Sequence, residues 1–525
     1  MDILVKISDG LWNPMAYFAL LVGLIFTIVI GAAQFRLLPH TLTLIFRPSK
    51  DSDGIAPFQA LFLTIASRVG VGNIAGVGTA VYAGGPGAMF WMFIVALLGA
   101  ASSFAESALA QVYKRRIGGE HRGGMPFYVR HGLRIKWLAA LLAIMTAVGY
   151  GILFPGVQSN NIAASMNTAF NINPWVTAVV VTGILGVVIF GGTRRIVWAA
   201  DLMVPIMAAL YILVAIAVLV VNYDQVIPTC QLIIASAFGK DAVFGGMAGA
   251  AVAWGVRRAV FSNVAGVGEG TYASAAASVQ HPAQQGLVQS FSIFIDTCIV
   301  CFATGAMLII TESYNVKDAD GNNIVEHLSG VDAGSAYTQN AVDSLLPGFG
   351  SQFVAIALFF FAFTTLIAFF YITYTNYVFL FGGKPNKVVD FAIKAGLLAM
   401  TFYGAVESAD VIWTIGDIGY ASLGWVNMIC ILLLIPVVRK VIVDYDRKRK
   451  SGEEMCFRPS ELGIKGATFW ESTCEAEQNR LDEIAYQPHV GAASGETGVH
   501  PVPSAEITFR HFVEPDPAHP KRKDD

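Results

Sequence analysis

Apolar runs of about 20 residues recur along the chain, separated by short polar stretches. A helix needs about that length to cross a hydrocarbon core of roughly 30 Å. Eleven runs read as spans, at 15–35, 58–82, 87–113, 138–166, 175–191, 197–222, 241–278, 287–311, 350–380, 388–405 and 411–438. From about residue 443 the pattern changes. The chain becomes polar, charged and proline-containing, without apolar helical periodicity after about 470. That stretch reads as a polar tail, disordered toward its end.

Two spans break their own pattern. Residues 66–80 read ASRVGVGNIAGVGTA, and residues 261–275 read FSNVAGVGEGTYASA. In the first, Ser67 and Arg68 precede a glycine-rich step. In the second, Ser262 and Asn263 do the same, and AGVG occurs in both, at 75–78 and 265–268. Unwinding a helix in lipid strands backbone N–H and C=O groups, which is costly unless protein or ligand satisfies them. Glycine permits the departure from helical angles. The freed N–H groups and the positive end of a half-helix suit a carboxylate, and the freed carbonyls suit a cation. Two such breaks five helices apart, crossing in opposite senses, are the pattern of an inverted repeat with a binding site at the midplane. Close packing through small residues is the alternative. It gives no reason for Arg68, Asn73, Ser262 and Asn263 to enter the seam.

Composition fits this reading. The 525 residues are 55% hydrophobic and 14% charged, with mean hydropathy +0.59. Soluble domains carry about 25% charged residues. The N-terminal MDILVKISDG lacks a basic region and a small-residue cleavage site, so the first run reads as a retained helix. Lys and Arg cluster after spans one, three, five, nine and eleven, ending in RKRK at 447–450, while the alternate loops are nearly bare. This places the N-terminus outside and the C-terminus in the cytoplasm. The net charge of −3 does not bear on nucleic-acid binding. Cys298 and Cys301 form a C-x-x-C inside an apolar helix and read as packing residues rather than a metal or redox pair. DADGNN at 318–323 reads as a turn, since it lacks the terminal Glu of a calcium loop. Arg68, Glu106, Asp201, Arg257, Arg258, Glu269 and Asp296 fall within or at the ends of spans, where ionisable residues are functional candidates. Asp201 and Asp296 read as structural pairs or interfacial groups. Arg257 or Arg258, two turns before the second break, reads as part of a gate.

Longer motifs carry a resemblance. GGPGAMFWMFIVALLG (84–99), FAES with Glu106, RGGMPFYV (122–129), VQSNNIA (157–163), FSNVAGVG (261–268), HPAQQGLVQSFSIFIDT (281–297), YTQNAVDSLLPGFGS (337–351) and FFFAFTTLIAF (359–369) occur in order over residues 55–440. Together they resemble the alanine or glycine:cation symporter family. The resemblance implies an all-α membrane protein of LeuT-type fold, with two inverted five-helix repeats containing discontinuous helices. Its parts would be an extra N-terminal helix and linker (1–56), a first repeat (57–222), a second repeat (223–440) and a cytoplasmic tail (441–525). It implies sodium-coupled symport of alanine or glycine across a bacterial inner membrane by alternating access.

The resemblance also implies a site. The backbone at Gly70, Val71 and Gly72 would face the substrate carboxylate, with Asn73 and Gln158 as side-chain contacts. The carbonyls of Arg68, Phe261 and Ser262 would face its ammonium, with Asn263 and Gly266 alongside. Sodium would lie between the first break and span nine, on the carbonyls of Ala66, Val69 and Phe361 and the hydroxyls of Thr364 and Thr365. Those two hydroxyls could instead bond back to their own helix. The chain departs from the family pattern at Phe93 (commonly Trp), Val264 (commonly Glu), Glu269 (commonly small or Thr) and Val71 (commonly Thr). A proton- or sodium-coupled carrier of another small amino acid or related solute on the same fold is the alternative function. No HExxH or G-x-S-x-G motif supports an intramembrane enzyme, and an antiparallel pair of breaks within one chain does not suit a channel.

Overall fold

The computed structural model describes residues 2–46, 54–191, 193–318, 321–384, 386–453 and 455–472, the side chains of 2 and 193–201 excepted. The helices that position the site are, in chain order, α1 (Asp2–Val29), α2 (Pro57–Arg68), α3 (Gly72–Gly84), α4 (Ala88–Val112), α5 (Lys136–Phe170), α6 (Pro174–Ile189), α7 (Thr193–Val221), α8 (Ala248–Asn263), α9 (Gly270–Ala276), α10 (Pro282–Ile310), α11 (Gly350–Leu380), α12 (Lys387–Val406), α13 (Ala409–Leu433) and α14 (Ile435–Ser451). Among the described residues, eight helices have the length and apolar composition to cross a membrane: α1, α4, α5, α7 and α10 to α13. The pair α2 and α3 qualifies as a ninth span, bent by 54° at its break. α6 is apolar but short, at 16 residues. α8 and α9 occupy the expected seventh span as two separate pieces.

The apolar pattern also decides which helices sit at the centre. α11 is apolar almost all round, and its most apolar stretch is 78% buried. α12 is less hydropathic and only 22% buried, so most of its surface faces outward. α1 begins earlier than the apolar run predicts, at Asp2. Its polar first turns are used: Ser8 and Asp9 accept hydrogen bonds from Arg257 at 2.6 and 2.9 Å. Two small antiparallel hairpins lie outside the helices, β1 (Arg115–Ile117) with β2 (Glu120–Arg122), and β3 (Asn315–Lys317) with β4 (Asn323–Glu326). Between the strands of the second hairpin, Asp318 accepts the Asn322 N–H at 2.8 Å, while residues 319–320 lie outside the described residues.

The polar stretch after residue 440 is less detached than its composition suggests. α14 is fixed by Asp444, which pairs with His281 at 3.2 Å, Lys448 at 3.1 Å and Arg447 at 2.8 Å. Burial raises the Asp444 carboxyl, but the hydrogen bonds from His281, Lys448 and Arg447 outweigh it and hold it down at about 2. Residues 455–472 then fold back as a strap. Phe457, Ala467 and Trp470 are buried. The Trp470 indole N–H donates to the Gln111 carbonyl at 2.8 Å, and Arg115 donates to the Gly466 carbonyl at 2.8 Å. Lys114 lies over the rings of Phe469 and Trp470. Four apolar anchors at 457, 464, 467 and 470 are too sparse to register as a periodic helix, which is why the sequence reads as tail. The expected disorder toward the end of the tail, and Cys474, fall outside the described residues.

Trp470→Ala is predicted to release the strap, because truncating a buried tryptophan costs about 3–5 kcal/mol. Limited trypsinolysis in detergent should then cut at Lys465 faster than in the parent protein. An unchanged rate would show that the strap is held elsewhere.

Candidate functional site

The first break is built from three residues. α2 ends at Arg68, and Val69 turns extended, at φ −76° and ψ 95°. Val71 is helical again, and Gly72–Gly76 forms a wide π-helical turn before α3 continues. Asn73 closes the gap, its side-chain oxygen accepting the Gly70 N–H at 2.8 Å. Gln158 on α5 stands over the break, 3.4 Å from the Val71 N–H. The opening N–H groups of α3 have no acceptor within their own helix.

The second break is longer. α8 ends at Asn263, and Val264 is left-handed, at φ 46° and ψ 27°. Such a conformation is strained for a β-branched residue. The Asn263 side chain steadies it by accepting the Ala265 N–H at 3.0 Å and donating to Thr297 at 3.1 Å. Gly266 and Gly268 follow with φ 81° and 96°. The shared AGVG tetrapeptide therefore does not mark equivalent backbone. At 75–78 it is helical, and at 265–268 it is the break. What does correspond is the helix end, after Ser67-Arg68 in one case and Ser262-Asn263 in the other.

The two breaks meet at Asp296. This carboxylate lies on a π-helical stretch of α10 (Phe294–Cys301) and is completely buried. It accepts from the Asn73 amide at 2.7 Å, from the Ser262 hydroxyl at 3.1 Å and from the Thr297 hydroxyl at 2.7 Å. Asp296 is thus not interfacial; it is a buried bridge paired with Asn73, Ser262 and Thr297. The π-turn rotates it between the breaks, and sequence periodicity does not show that rotation. Cys301 also departs from its expected packing role. It touches both Asn73 (3.2 Å) and Ser262 (3.3 Å), whereas Cys298 packs among Ala96, Ala100 and Ala265. The side chain of Asp201 lies outside the described residues.

The close approach depends on glycine. A Cβ at Gly72 would sit 2.9 Å from the Ser262 Cα, and one at Gly70 would sit 2.7 Å from the Thr365 hydroxyl. Backbone thus meets backbone between the breaks, and first break meets α11. On that side the Thr365 hydroxyl lies 3.0 Å from both the Ala66 and Phe361 carbonyls, and Thr364 lies 2.9 Å from the Phe361 carbonyl. Both threonines bond back to their own helix, and Thr365 also reaches across to the first break. Ala66, Phe361, Thr364 and Thr365 therefore form one oxygen cluster, and Val69, three residues after Ala66, is buried.

The intramembrane charges also find partners. The Arg68 guanidinium is fully buried and donates to Ser292, to the Gln289 carbonyl at 3.2 Å and to Ser103 at 3.2 Å, with Glu106 at 3.9 Å. Glu106 accepts from Asn427 at 3.1 Å, and the same amide donates to the Gly266 carbonyl at 2.8 Å. Arg257 and Arg258 share Asp417 of α13, at 2.7 and 3.3 Å, and Arg257 also reaches Asp9. Arg258 lies over the rings of Trp413 and Phe261, one residue before Ser262.

Of the expected substrate residues, Gly70, Val71, Gly72, Asn73, Gln158 and Ser262 are brought together. Asn263 serves the second break itself. Gly266 turns to Asn427 and Met428, and the Phe261 ring packs tilted against Trp413 and edge-on to Tyr420. Asp296 and Asp417 are the additions the structure makes. Apart from Thr297 beside Asp296, each carboxylate's partners lie on other spans, so local spacing carries no sign of these contacts.

A profile of the sodium:alanine symporter family matches residues 1–459. The chain belongs to that family. A sodium/proton-dependent alanine carrier protein of Bacillus sp. (strain PS3) is 44% identical over 80% of this chain and 94% of its own length. The amino-acid carrier protein AlsT of Bacillus subtilis is 37% identical over 88% and 96%. The sodium/alanine symporter AgcS of Methanococcus maripaludis is 34% identical over 85% and 97%. A solved structure of a Na+-coupled sialic acid symporter overlaps with a TM-score of 0.45 at 12% identity, over 80% of this chain and 86% of that one. A likeness of that size carries no argument. Family membership makes the protein a multi-pass, sodium-coupled transporter and not an enzyme.

Gly72→Ala is predicted to push the two breaks apart, since the added methyl meets backbone that cannot turn away. Overpacking of this kind costs about 1–3 kcal/mol. The melting temperature in detergent should fall. A variant as stable as the parent would mean that the breaks are not in contact at Gly72.

Proposed function

We propose that the protein carries alanine or glycine inward with sodium, binding both at the junction of the two helix breaks. The observation that carries this reading is the convergence of Asn73 and Ser262 on one buried carboxylate, Asp296. A small zwitterion suits the junction. Its carboxylate would face the amides of Val71 and Gly72 at the start of α3, where the helix end favours negative charge. Its ammonium would face Asp296 and the carbonyls of Arg68, Phe261 and Ser262. The tight approaches at Gly70 and Gly72 leave little room for a substrate side chain and favour the smallest amino acids. Sodium would take the oxygen cluster of Ala66, Val69, Phe361, Thr364 and Thr365, as hard cations take oxygen ligands.

Eleven spans, an outside N-terminus and a cytoplasmic C-terminus complete the reading, with 57–222 and 223–440 as inverted repeats after one extra helix. The loop charges and the opposite order of the two breaks support it. Arg257, Arg258 and Asp417 would form the outer gate, joining α1, α8 and α13 just ahead of Ser262. Alternating access then amounts to parting this cluster while the opposite side closes. Sodium can drive the cycle only by binding the outward-open state more tightly than the inward-open one.

Proteoliposomes should take up labelled alanine when sodium is present outside and should not when potassium replaces it. Sodium-independent uptake would contradict the coupling. Thr365→Ala should raise the sodium needed for half-maximal uptake. An unchanged requirement would place the ion elsewhere. Asp296→Asn should weaken alanine binding by about 10- to 100-fold, the size of a lost charged hydrogen bond. Unaltered affinity would leave Asp296 as a brace and not a ligand.

A further inference from the structure

We propose that the strap at 455–472 is the latch of an inner gate, and that the gate is the backbone pairing of Ile55 with Ala277. This rests on the transport reading above and gives the side opposite the Asp417 cluster a closure of its own.

The two broken spans are joined at one end as well as at their breaks. Ile55 lies two residues before α2, and Ala277 directly follows α9. The Ile55 N–H donates to the Ala276 carbonyl at 3.0 Å, and the Ile55 carbonyl accepts the Ser278 N–H at 2.9 Å. Opening the site toward this side requires the two ends to part, and these bonds with them. Such a pairing is a weak closure in water, which competes for the same groups. The end of α4 reinforces it. The Ala277 carbonyl accepts from the Gln111 amide at 3.0 Å and from the Lys114 ammonium at 2.9 Å, and Gln111 also donates to the Ser274 carbonyl. The Ser274 hydroxyl donates to the Ser107 carbonyl at 3.0 Å. Packing is tight beside the pairing: a Cβ on Gly54 would lie 2.8 Å from both the His121 ring and Ser278.

The strap grips both donors to Ala277. The Trp470 indole N–H meets the Gln111 main-chain carbonyl. The rings of Phe469 and Trp470 lie 4.5 and 5.2 Å from the Lys114 ammonium, and Phe469 stands edge-on to His121 at 4.9 Å. Lys114 is only 1% exposed. A lysine just past a helix end would ordinarily keep its ammonium in water. Under the aromatic cover, the rings and the Ala277 carbonyl replace that water. Hydrogen bonds in a dry pocket are stronger than wet ones. Lifting the strap returns water to Lys114 and Gln111 and weakens their hold on Ala277. The strap thus acts on the gate through α4, by keeping dry the bonds that tie α9 to it.

The test reads cysteine accessibility in the full chain, in detergent without substrate. Ala277→Cys is labelled with a maleimide and followed by mass spectrometry of the peptide that holds residue 277. Adding Trp470→Ala should speed that labelling about fivefold or more, the worth of one hydrogen bond. Ser8→Cys, buried at the Asp417 cluster, should label no faster in the same background. Unchanged labelling at 277, once trypsin shows the strap released, overturns this inference and leaves the transport reading intact. An equal gain at both positions also overturns it, since that is general loosening. If Trp470→Ala does not fold, Phe469→Leu replaces it, keeping bulk but removing the ring over Lys114, and the same outcomes decide. Sodium-driven alanine uptake by the parent is measured in parallel. Its absence overturns the transport reading, while the labelling still decides whether the strap holds the pairing shut.

Discussion

A carboxylate inside a membrane has to be satisfied by the protein around it, and Asp296 is satisfied by drawing two interrupted helices together. Asn73 comes from the first break and Ser262 from the second. Neither interruption would be stable by itself, since each leaves backbone groups without helical partners. Asn73 and Asn263 each cap a freed amide of their own break, and the two breaks are joined through the carboxylate that both donate to. The glycine at position 72 lets the backbones close to contact distance. The π-turn of α10 points the carboxylate into the gap. The proposed site is thus a consequence of how the breaks are held together, and a zwitterion bound there would add its own charges to an arrangement that already holds a buried carboxylate.

Other features take their meaning from that junction. Arg68 is held by Ser103, Ser292 and the Gln289 carbonyl, so its charge is spread over α4 and α10 and does not enter the gap as a free cation. On one side of the junction, Arg257 and Arg258 gather α1, α8 and α13 around Asp417. At the far end of α4, the strap around Trp470 covers Gln111, which also donates to the Ala277 carbonyl just past α9. Both ends of the second broken span are therefore tied to surrounding helices, while its middle is irregular. A segment tied at both ends with an irregular centre has fewer helical hydrogen bonds to break when its shape changes.

Much of this was legible in the sequence, for identifiable reasons. Apolar length reveals spans, and glycines beside Asn and Ser reveal where two of them fail. The family resemblance named Thr365 and Ala66 as ligands of one ion, and in the structure the Thr365 hydroxyl donates directly to the Ala66 carbonyl. The role of Asp296 was not legible, because a π-turn changes which face a residue presents without changing its spacing. The repeated AGVG was legible but misleading, since conformation followed the surrounding contacts and not the tetrapeptide. Asp417 and Trp470 were invisible for a third reason. Their partners are distant in sequence, at Arg257 and Gln111. The guanidinium of Arg68, puzzling in isolation, is accounted for once α10 is packed beside it.

The location of bound alanine tests the central claim most directly. In a structure determined with alanine and sodium, the ligand should lie between residues 69–73 and Ser262. Its ammonium should stand within about 3 Å of an Asp296 oxygen, and its carboxylate should face the Val71 and Gly72 amides. Alanine found elsewhere, with Asn73 and Ser262 still closed on Asp296 and nothing between the breaks, would contradict the account.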